Sequence, residues 1–380
     1  MQNLIKRAVL RGIRAAGYVL VRAPPSRPPL SLSANGAPLV GIRAVPEIRR
    51  GVQLPTDGPS SKIDRFAEVD ELLNAITPWS GDVPNGYVVD FLGILRDGSF
   101  LWNHKGPFGG HHVSTNLPTV ASEGEAWFEV ADWLVSAHQA RRQYVAISLG
   151  AAFGHQLVGA WKALQAINPL PSHLVAVDPV PQNCTWTRSH MATNGINPDD
   201  QCIIQAAIGP DNEPMLFPVG APGTGLNSAV AINSAESRQT YADLMQRDGY
   251  SARVLDNILR YNSTGITHDL GYGHTGELKF VSTVTLQDVL APFDRVDLLE
   301  VDIQQSEMNV FPPYMDLVSR RVRRVHVGTH GSEAHDLVRA LFTGAGWEII
   351  FDYAPDSHHV TERGAMDLGD GILTARNPEV

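Results

Sequence analysis

Apolar residues recur at helical spacing between Ile63 and Ile76, at Phe66, Val69, Leu72, Leu73 and Ile76, and this predicts a helix. A second follows over Glu125–Gln139, with Trp127, Val130, Ala131, Leu134 and His138 on one side. Between them, Tyr87–Leu95 and Ser99–Trp102 flank Arg96-Asp97-Gly98, a pattern that predicts a hairpin turning on Asp-Gly. Asn103–Asn116, with four Gly or Pro residues and His104, His111 and His112, reads as a loop. From Gln143 the rhythm changes to strands alternating with helices. The strands are Tyr144–Leu149, Leu174–Val177, Cys202–Ile208, Val296–Ile303 and Val322–Val327. Gln156–Ile167, Thr185–Asn194 and Ala334–Gly344 are the intervening helices. Such alternation predicts an α/β fold with a mainly parallel sheet covered on both faces. Trp347–Tyr353 and Gly371–Ala375, with a loop between them, read as an antiparallel pair closing that sheet.

The first of these strands runs into a turn of small residues, Gly150-Ala151-Ala152-Phe153-Gly154, and then into a helix. Small side chains admit a ligand close to the backbone, and the helix start offers unpaired N–H groups. Asp178 ends the second strand, where a carboxylate can accept hydrogen bonds from ribose hydroxyls. The same turn and acid also suit plain βα packing. The dinucleotide spacing G-x-G-x-x-G fails, because Ala152 stands where the middle glycine belongs. No G-x-x-x-x-G-K-[ST] is present, which removes P-loop nucleotide hydrolysis. A turn of this kind with a ribose-binding acid suits a mononucleoside such as S-adenosylmethionine. An NAD-type oxidoreductase on a similar sheet is the competing reading.

Composition narrows the classes. The 380 residues are 43% hydrophobic and 18% charged, enough for a real core. The net charge of −10 disfavours nucleic-acid binding. It is unevenly spread: the first fifty residues hold nine Lys or Arg and one acid, +8, which leaves −18 for the remainder. Residues 1–22 read as a short basic amphipathic helix, suited to an anionic membrane surface or to a partner protein, and a Pro-rich linker follows from Ala23 to Pro46. Two cysteines, Cys184 and Cys202, make neither a disulfide framework nor a metal motif, so a reduced, cytoplasmic setting is expected, peripheral to the membrane at most. The domain plan is residues 1–60 as basic helix and linker, 61–140 as a helical and hairpin cap, and 141–380 as the cofactor-binding domain.

Several segments resemble the FkbM-type methyltransferases: Ile147–Gly154, Val175–Gly195, Ala206–Gly209, Val296–Glu307 (VDLLEVDIQQSE), Val325–Ser332 (VHVGTHGS), Gly346-Trp347 and Asp370-Gly371. The resemblance spans roughly residues 85–380. It implies a class I, Rossmann-like fold and S-adenosylmethionine-dependent O-methylation of a sugar, glycan or glycosylated natural product. The chain departs from the family pattern at Ser148, where an acid is usual, and at Ala152 and Gln305, where glycine is usual. Those departures keep open a catalytically silent scaffold of a glycan-assembly complex.

Methyl transfer to a hydroxyl needs the acceptor oxygen held in line and its proton removed. Asp302 and His330 follow the fourth and fifth strands and are expected to face the crevice that holds Gly150 and Asp178. His330 is the expected base, since imidazole titrates near neutral pH. Asp302 is expected to orient it, bind a sugar hydroxyl or hold a divalent metal; capping of backbone groups is the plain structural alternative for both residues. Ser148, Gly150, Ala151, Gly154, Asp178 and Ala207 are the expected cofactor contacts. Trp102, His104, Gln304 and Glu307 are the expected contacts to a small-molecule or glycan acceptor, and each has an ordinary loop or capping role as its rival.

Overall fold

A computed structural model of the chain describes residues 66–100, 109–220, 263–271 and 274–380, with scattered positions from 239 to 256. Residues 1–22, Trp102 and His104 lie outside the described residues. At the centre is a seven-stranded sheet: β1 (Tyr144–Leu149), β2 (Ser172–Asp178), β3 (Cys202–Gln205), β4 (Leu298–Val301), β5 (Arg324–Thr329), β6 (Glu348–Tyr353) and β7 (Gly371–Arg376), in the spatial order β6-β7-β5-β4-β1-β2-β3. Strands β1 to β5 pair in parallel, whereas β7 is antiparallel to both β5 and β6. The order reverses at β1, so a crevice opens at the carboxyl ends of β1 and β4. This is a Rossmann-like, doubly wound sheet with one antiparallel strand inserted near its edge.

The parallel strands are buried along their whole length, which explains why their sequences read as apolar runs. Helices lie on both faces. On one face Glu125–Gln139 (α1) packs against His155–Ile167 (α2), with Pro181–Thr193 (α3) beside it. Gly159 of α2 sits under Trp133 of α1, where a Cβ would come 2.5 Å from the indole ring; glycine permits that approach. Aromatic contacts fasten α1 to the sheet edge: Phe128 meets Phe351 of β6 edge-on with centroids 4.9 Å apart, and Phe66 meets Trp127 at 5.4 Å. The helix Ala67–Asn74 buries Val69, Leu72 and Leu73 in the same core. Ser332–Gly344 (α4), with Val338 and Phe342, packs into the core of the opposite face.

Four local expectations are corrected. The hairpin does not turn on Asp97-Gly98: Tyr87–Val89 pairs with Leu95–Asp97 around residues 90–94, and Gly98–Phe100 forms a 3-10 turn. The reason is Asp90, whose Oδ1 accepts the N–H groups of Leu92 and Ile94 at 3.0 Å each and closes the bend there. The expected loop over 103–116 contains a strand, His111–Ser114, which pairs antiparallel with Ser80–Val83. The strand expected over Cys202–Ile208 breaks at Ala206, and Ala207–Ile208 pairs instead with Thr283–Val284. Between β6 and β7 lies a hairpin, Ser357–Thr361 with Gly364–Leu368, rather than a plain loop. A further antiparallel set, Met215–Gly220, Ser263–Gly271 and His274–Val281, went unread in the sequence. Among the described residues, no helix is long and apolar enough to cross a membrane.

Candidate active site

Register places the site. Leu149 aligns with Val177 and Val301, and Val301 aligns with Val327. One residue further on, Gly150, Asp178 and Asp302 form the lip of the sheet, with Gly328 beside Asp302. Thr329 aligns with Gly371, which brings His330 level with Asp370. Because strand side chains alternate faces, these even-numbered residues rise on the face covered by α1.

The turn after β1 is pressed against Asp302. Gly150 has φ +80°, and a Cβ there would lie 1.8 Å from the Asp302 carbonyl oxygen, so only glycine fits. Ala152, where the family has glycine, also has positive φ (+46°). Its N–H donates to Asp178 Oδ2 at 2.9 Å, which ties the turn to β2. Asp178 Oδ1 accepts from Val180 N and from the Asn183 amide. The Asp178 carboxyl is therefore already anchored three times, and a ribose hydroxyl would meet only the remaining capacity of Oδ2. Burial pushes its pKa up to about 7 against the lowering effect of those hydrogen bonds.

Beyond β4 and β5, His330 Nε2 lies 3.4 Å from Asp302 Oδ1 and 3.5 Å from Asp370 Oδ1. Gln304 donates to Asp302 Oδ1 at 3.0 Å, and its amide nitrogen reaches His330 Nε2, an arrangement that needs a lone pair on that nitrogen. Desolvation opposes charging of His330, but the Asp370 hydrogen bond and the charges of Asp302, Asp370 and Glu307 override it and raise the pKa to about 8. Asp302 is itself raised, by desolvation first, with His330 and Gln304 opposing. Half of its side chain keeps contact with solvent, so the group is open to a ligand. Gln304 and Gln305 both have positive φ (+53° and +72°), and the second again stands where the family has glycine. Glu307 is fully buried: Oε1 caps Ile303 N, Oε2 has no hydrogen-bond partner, and burial raises its pKa to about 7.

Ser148 and Ala207 sit apart from the opening. Ser148 is fully buried and donates to Glu300, so its hydroxyl is spent inside the core; it does not stand at the lip as a cofactor contact. Ala207 is buried in the small parallel pair beyond β3. Ala151 and Gly154 belong to the turn, and Ala151 N is used by Val177 O.

Beneath the lip runs a buried polar row, Ser148, Glu300, His326 and Thr374, one residue from each of β1, β4, β5 and β7. Asp132 of α1, 1% exposed, reaches down to it. It accepts from Arg324 Nε, from His326 Nδ1 at 2.7 Å and from Thr374 Oγ1 at 2.7 Å. Desolvation would discharge His326, but the Asp132 hydrogen bond and charge outweigh it and raise the pKa to about 9. Burial raises Glu300 to about 8, with the charge of Asp302 adding to it. Glu125 is likewise raised to about 8 by burial and by Glu129 and Asp370. Sequence reasoning missed Asp132, Glu300, His326 and Asp370 as parts of the site. Polar residues inside otherwise apolar strands were the available sign for Glu300 and His326.

The family model for the methyltransferase FkbM domain matches residues 170–348, a span that runs from β2 to the start of β6 and takes in Asp178, Asp302 and His330. Over that stretch the chain is similar to FkbM-type methyltransferase domains. A putative methyltransferase of Jannaschia sp. (strain CCS1) is 24% identical over 296 residues, which cover 77% of this chain and 93% of that protein. Among solved structures, a methyltransferase FkbM from Methylobacillus flagellatus KT overlaps with a TM-score of 0.32 at 11% identity, over 62% of this chain and 45% of that one. The precorrin-6Y C5,15-methyltransferase of Geobacter metallireducens GS-15 overlaps at 0.34 and 7% identity, over 66% and 88%. The strand order and the lip residues, not these overlaps, locate the site. Among the described residues, no cluster of three His, Cys, Asp or Glu side chains suits a metal ion.

Proposed function

We propose that this methyltransferase uses S-adenosylmethionine to methylate a hydroxyl of a sugar, a glycan or a glycosylated natural product. The observation that carries the reading is His330 held between Asp302 and Asp370 at the carboxyl ends of β4, β5 and β7, directly beside the Gly150 turn. The turn fits a nucleoside cofactor: its glycine approaches Asp302 without a Cβ in the way, and Asp178 Oδ2 remains available beside it. Gly150 to Gly154 and Asp178 would hold the cofactor. When bound, S-adenosylmethionine supplies a methyl group on a sulfonium centre.

The protein's own part is proton removal and alignment. Unprotonated His330 accepts the acceptor hydroxyl's proton at Nε2, the hydroxyl displacing the Gln304 amide from that lone pair, and the imidazolium formed is stabilised by the two flanking carboxylates. Asp302, half open to solvent, also accepts a hydrogen bond from a neighbouring sugar hydroxyl and fixes the reacting oxygen.

Two measurements test this. Calorimetry should show binding of S-adenosylmethionine and none of NAD; the reverse result would transfer the site to the oxidoreductase reading. Mass spectrometry of glycans from cells with and without the protein should show a methyl-sized mass difference. With the acceptor so identified, Asp302→Asn and His330→Ala should each lower turnover by orders of magnitude while cofactor binding persists. Near-wild-type rates in both variants would end the assignment.

A further inference from the structure

A cleft of about 370 Å³ opens beside the catalytic lip, between α1 and the residues that precede it. Its walls include Asp90, Arg96, Asn116, Val130, Trp133 and His155. Two of these present nitrogen without a partner. The Arg96 side chain makes no hydrogen bond or direct ion pair among the described residues, and its Nε is shut from solvent with no acceptor. His155 Nδ1 is buried in the same condition. The neighbouring acid meets Arg96 only through its field: Asp90 lies within range of the Arg96 charge, but its Oδ1 is occupied by the N–H groups of Leu92 and Ile94 and no direct ion pair forms. Glu123, also in the wall, is exposed at the rim and accepts from Ser122.

An unmatched guanidinium in a partly dry wall is costly to keep, and planar oxyanions are its best-matched acceptors. The cleft is also connected to the chemistry. His155 in its wall directly follows Gly154, so the cleft adjoins the turn at the lip, and Glu129 of α1 feels the charge of both Arg96 and Asp302. Ala126, Val130 and Trp133 form the apolar flank of the helix toward the cleft, while Glu125 and Glu129 face the lip.

We infer that this cleft is an acceptor subsite in which Arg96 binds an oxyanion of the substrate, a sugar carboxylate or a sugar phosphate. The inference rests on the methyltransferase reading for the word acceptor, but the binding it predicts does not need the methyl donor. His155 stays uncharged, because burial and the adjacent Arg96 both lower its pKa, so it serves as a neutral hydrogen-bond partner to the same ligand.

The test is isothermal titration of the full-length protein, without methyl donor, with glucuronate, glucose 6-phosphate, methyl glucoside and inorganic phosphate. One of the two acidic sugars should bind at least tenfold more tightly than the neutral glucoside, and whichever does so identifies the oxyanion. Arg96→Gln should weaken that sugar by tenfold to a hundredfold, on the order expected for a charge-assisted hydrogen bond, and leave the neutral sugar unchanged. Arg96→Lys, which keeps the charge, should recover part of the loss and shows that the fold is intact. Equal binding of acidic and neutral sugars, or inorganic phosphate binding as tightly as the sugar phosphate, would overturn the inference. If S-adenosylmethionine binds while the preference for acidic sugars is absent, only this subsite fails. If the preference is present and S-adenosylmethionine does not bind, the methyltransferase reading fails and the anion site stands.

Discussion

Gly150→Ala is the sharpest probe of the geometry, and Gly154→Ala is its internal control. Both glycines have left-handed backbones, φ +80° and +77°, so an alanine costs about 1–2 kcal/mol at either position. What differs is the neighbour. At Gly154 the new methyl would come 2.8 Å from the methyl of buried Thr187, a short side-chain overlap and not a clash with backbone. At Gly150 it would meet the Asp302 backbone carbonyl at 1.8 Å, and that strand end is pinned by Asp302 N donating to Leu149 O at 3.0 Å. Relieving the clash means moving β4 away from β1, an overpacking cost of about 1–3 kcal/mol. Gly150→Ala should therefore lose about 2–5 kcal/mol of stability. Gly154→Ala should lose about 1–2 kcal/mol. Because the clash lies at the start of the turn proposed to hold the cofactor and displaces it from β4, the first variant should also bind S-adenosylmethionine at least tenfold more weakly than the second, ~1.4 kcal/mol. Urea unfolding midpoints and calorimetric affinities read both effects. Matching midpoints and matching affinities in the two variants would refute the claim that turn and carboxylate share one lip.

Four further outcomes follow. Turnover should rise with pH through about 8, since His330 must be unprotonated to act and its pKa lies there; a rate flat from pH 6 to 9 would remove it as the base. Thermal stability should fall as pH rises from about 6 to 9. His326 contributes stability in full below its unfolded value near 6.5, lost as pH passes about 9, and Glu125 and Glu300 favour the protonated folded form up to about 8; a melting temperature that climbs over this interval would contradict the sign. Asp132→Ala should cost about 3–5 kcal/mol in urea unfolding, because Arg324 and His326 are left charged in the core. Gln305→Gly should be neutral or stabilising by up to about 1 kcal/mol, as relief of the φ +72° backbone outweighs or matches the extra chain entropy of glycine; a clear loss of stability would show that the Gln305 side chain contributes packing of its own.

The sheet was legible because its parallel strands are buried on both faces, so Tyr144–Leu149 and Leu174–Val177 had no polar alternation to confuse them. The lip residues followed, since a parallel strand's carboxyl end is where side chains meet a ligand: Gly150, Asp178, Asp302 and His330 do gather there. Other features depend on partners far along the chain. His111–Ser114 is a strand only because Ser80–Val83 lies beside it, and no local periodicity announces that. Asp97-Gly98 had good hairpin chemistry, yet the backbone bonds of Asp90 claimed the bend first. Asp178 shows the limit of motif reading, because strand and position were right while the carboxyl's existing bonds could not be seen. The two glycine-replacing residues, Ala152 and Gln305, keep the left-handed backbone that glycine would adopt, so the pattern's departure changes the side chain and leaves the path of the chain intact.

The insertion of β7 between β5 and β6 has a consequence for biosynthesis. Asp370, Thr374 and the strand that carries them are synthesised after β5 and β6, and they complete both the His330 centre and the buried bonds to Asp132. A nascent chain that has not yet gained β7 has β5 and β6 with a gap between them and a histidine lacking one of its two flanking acids. Catalytic competence should thus appear only once β7 has been made, and a polypeptide cut short just before Asp370 would be left with an open seam in its sheet.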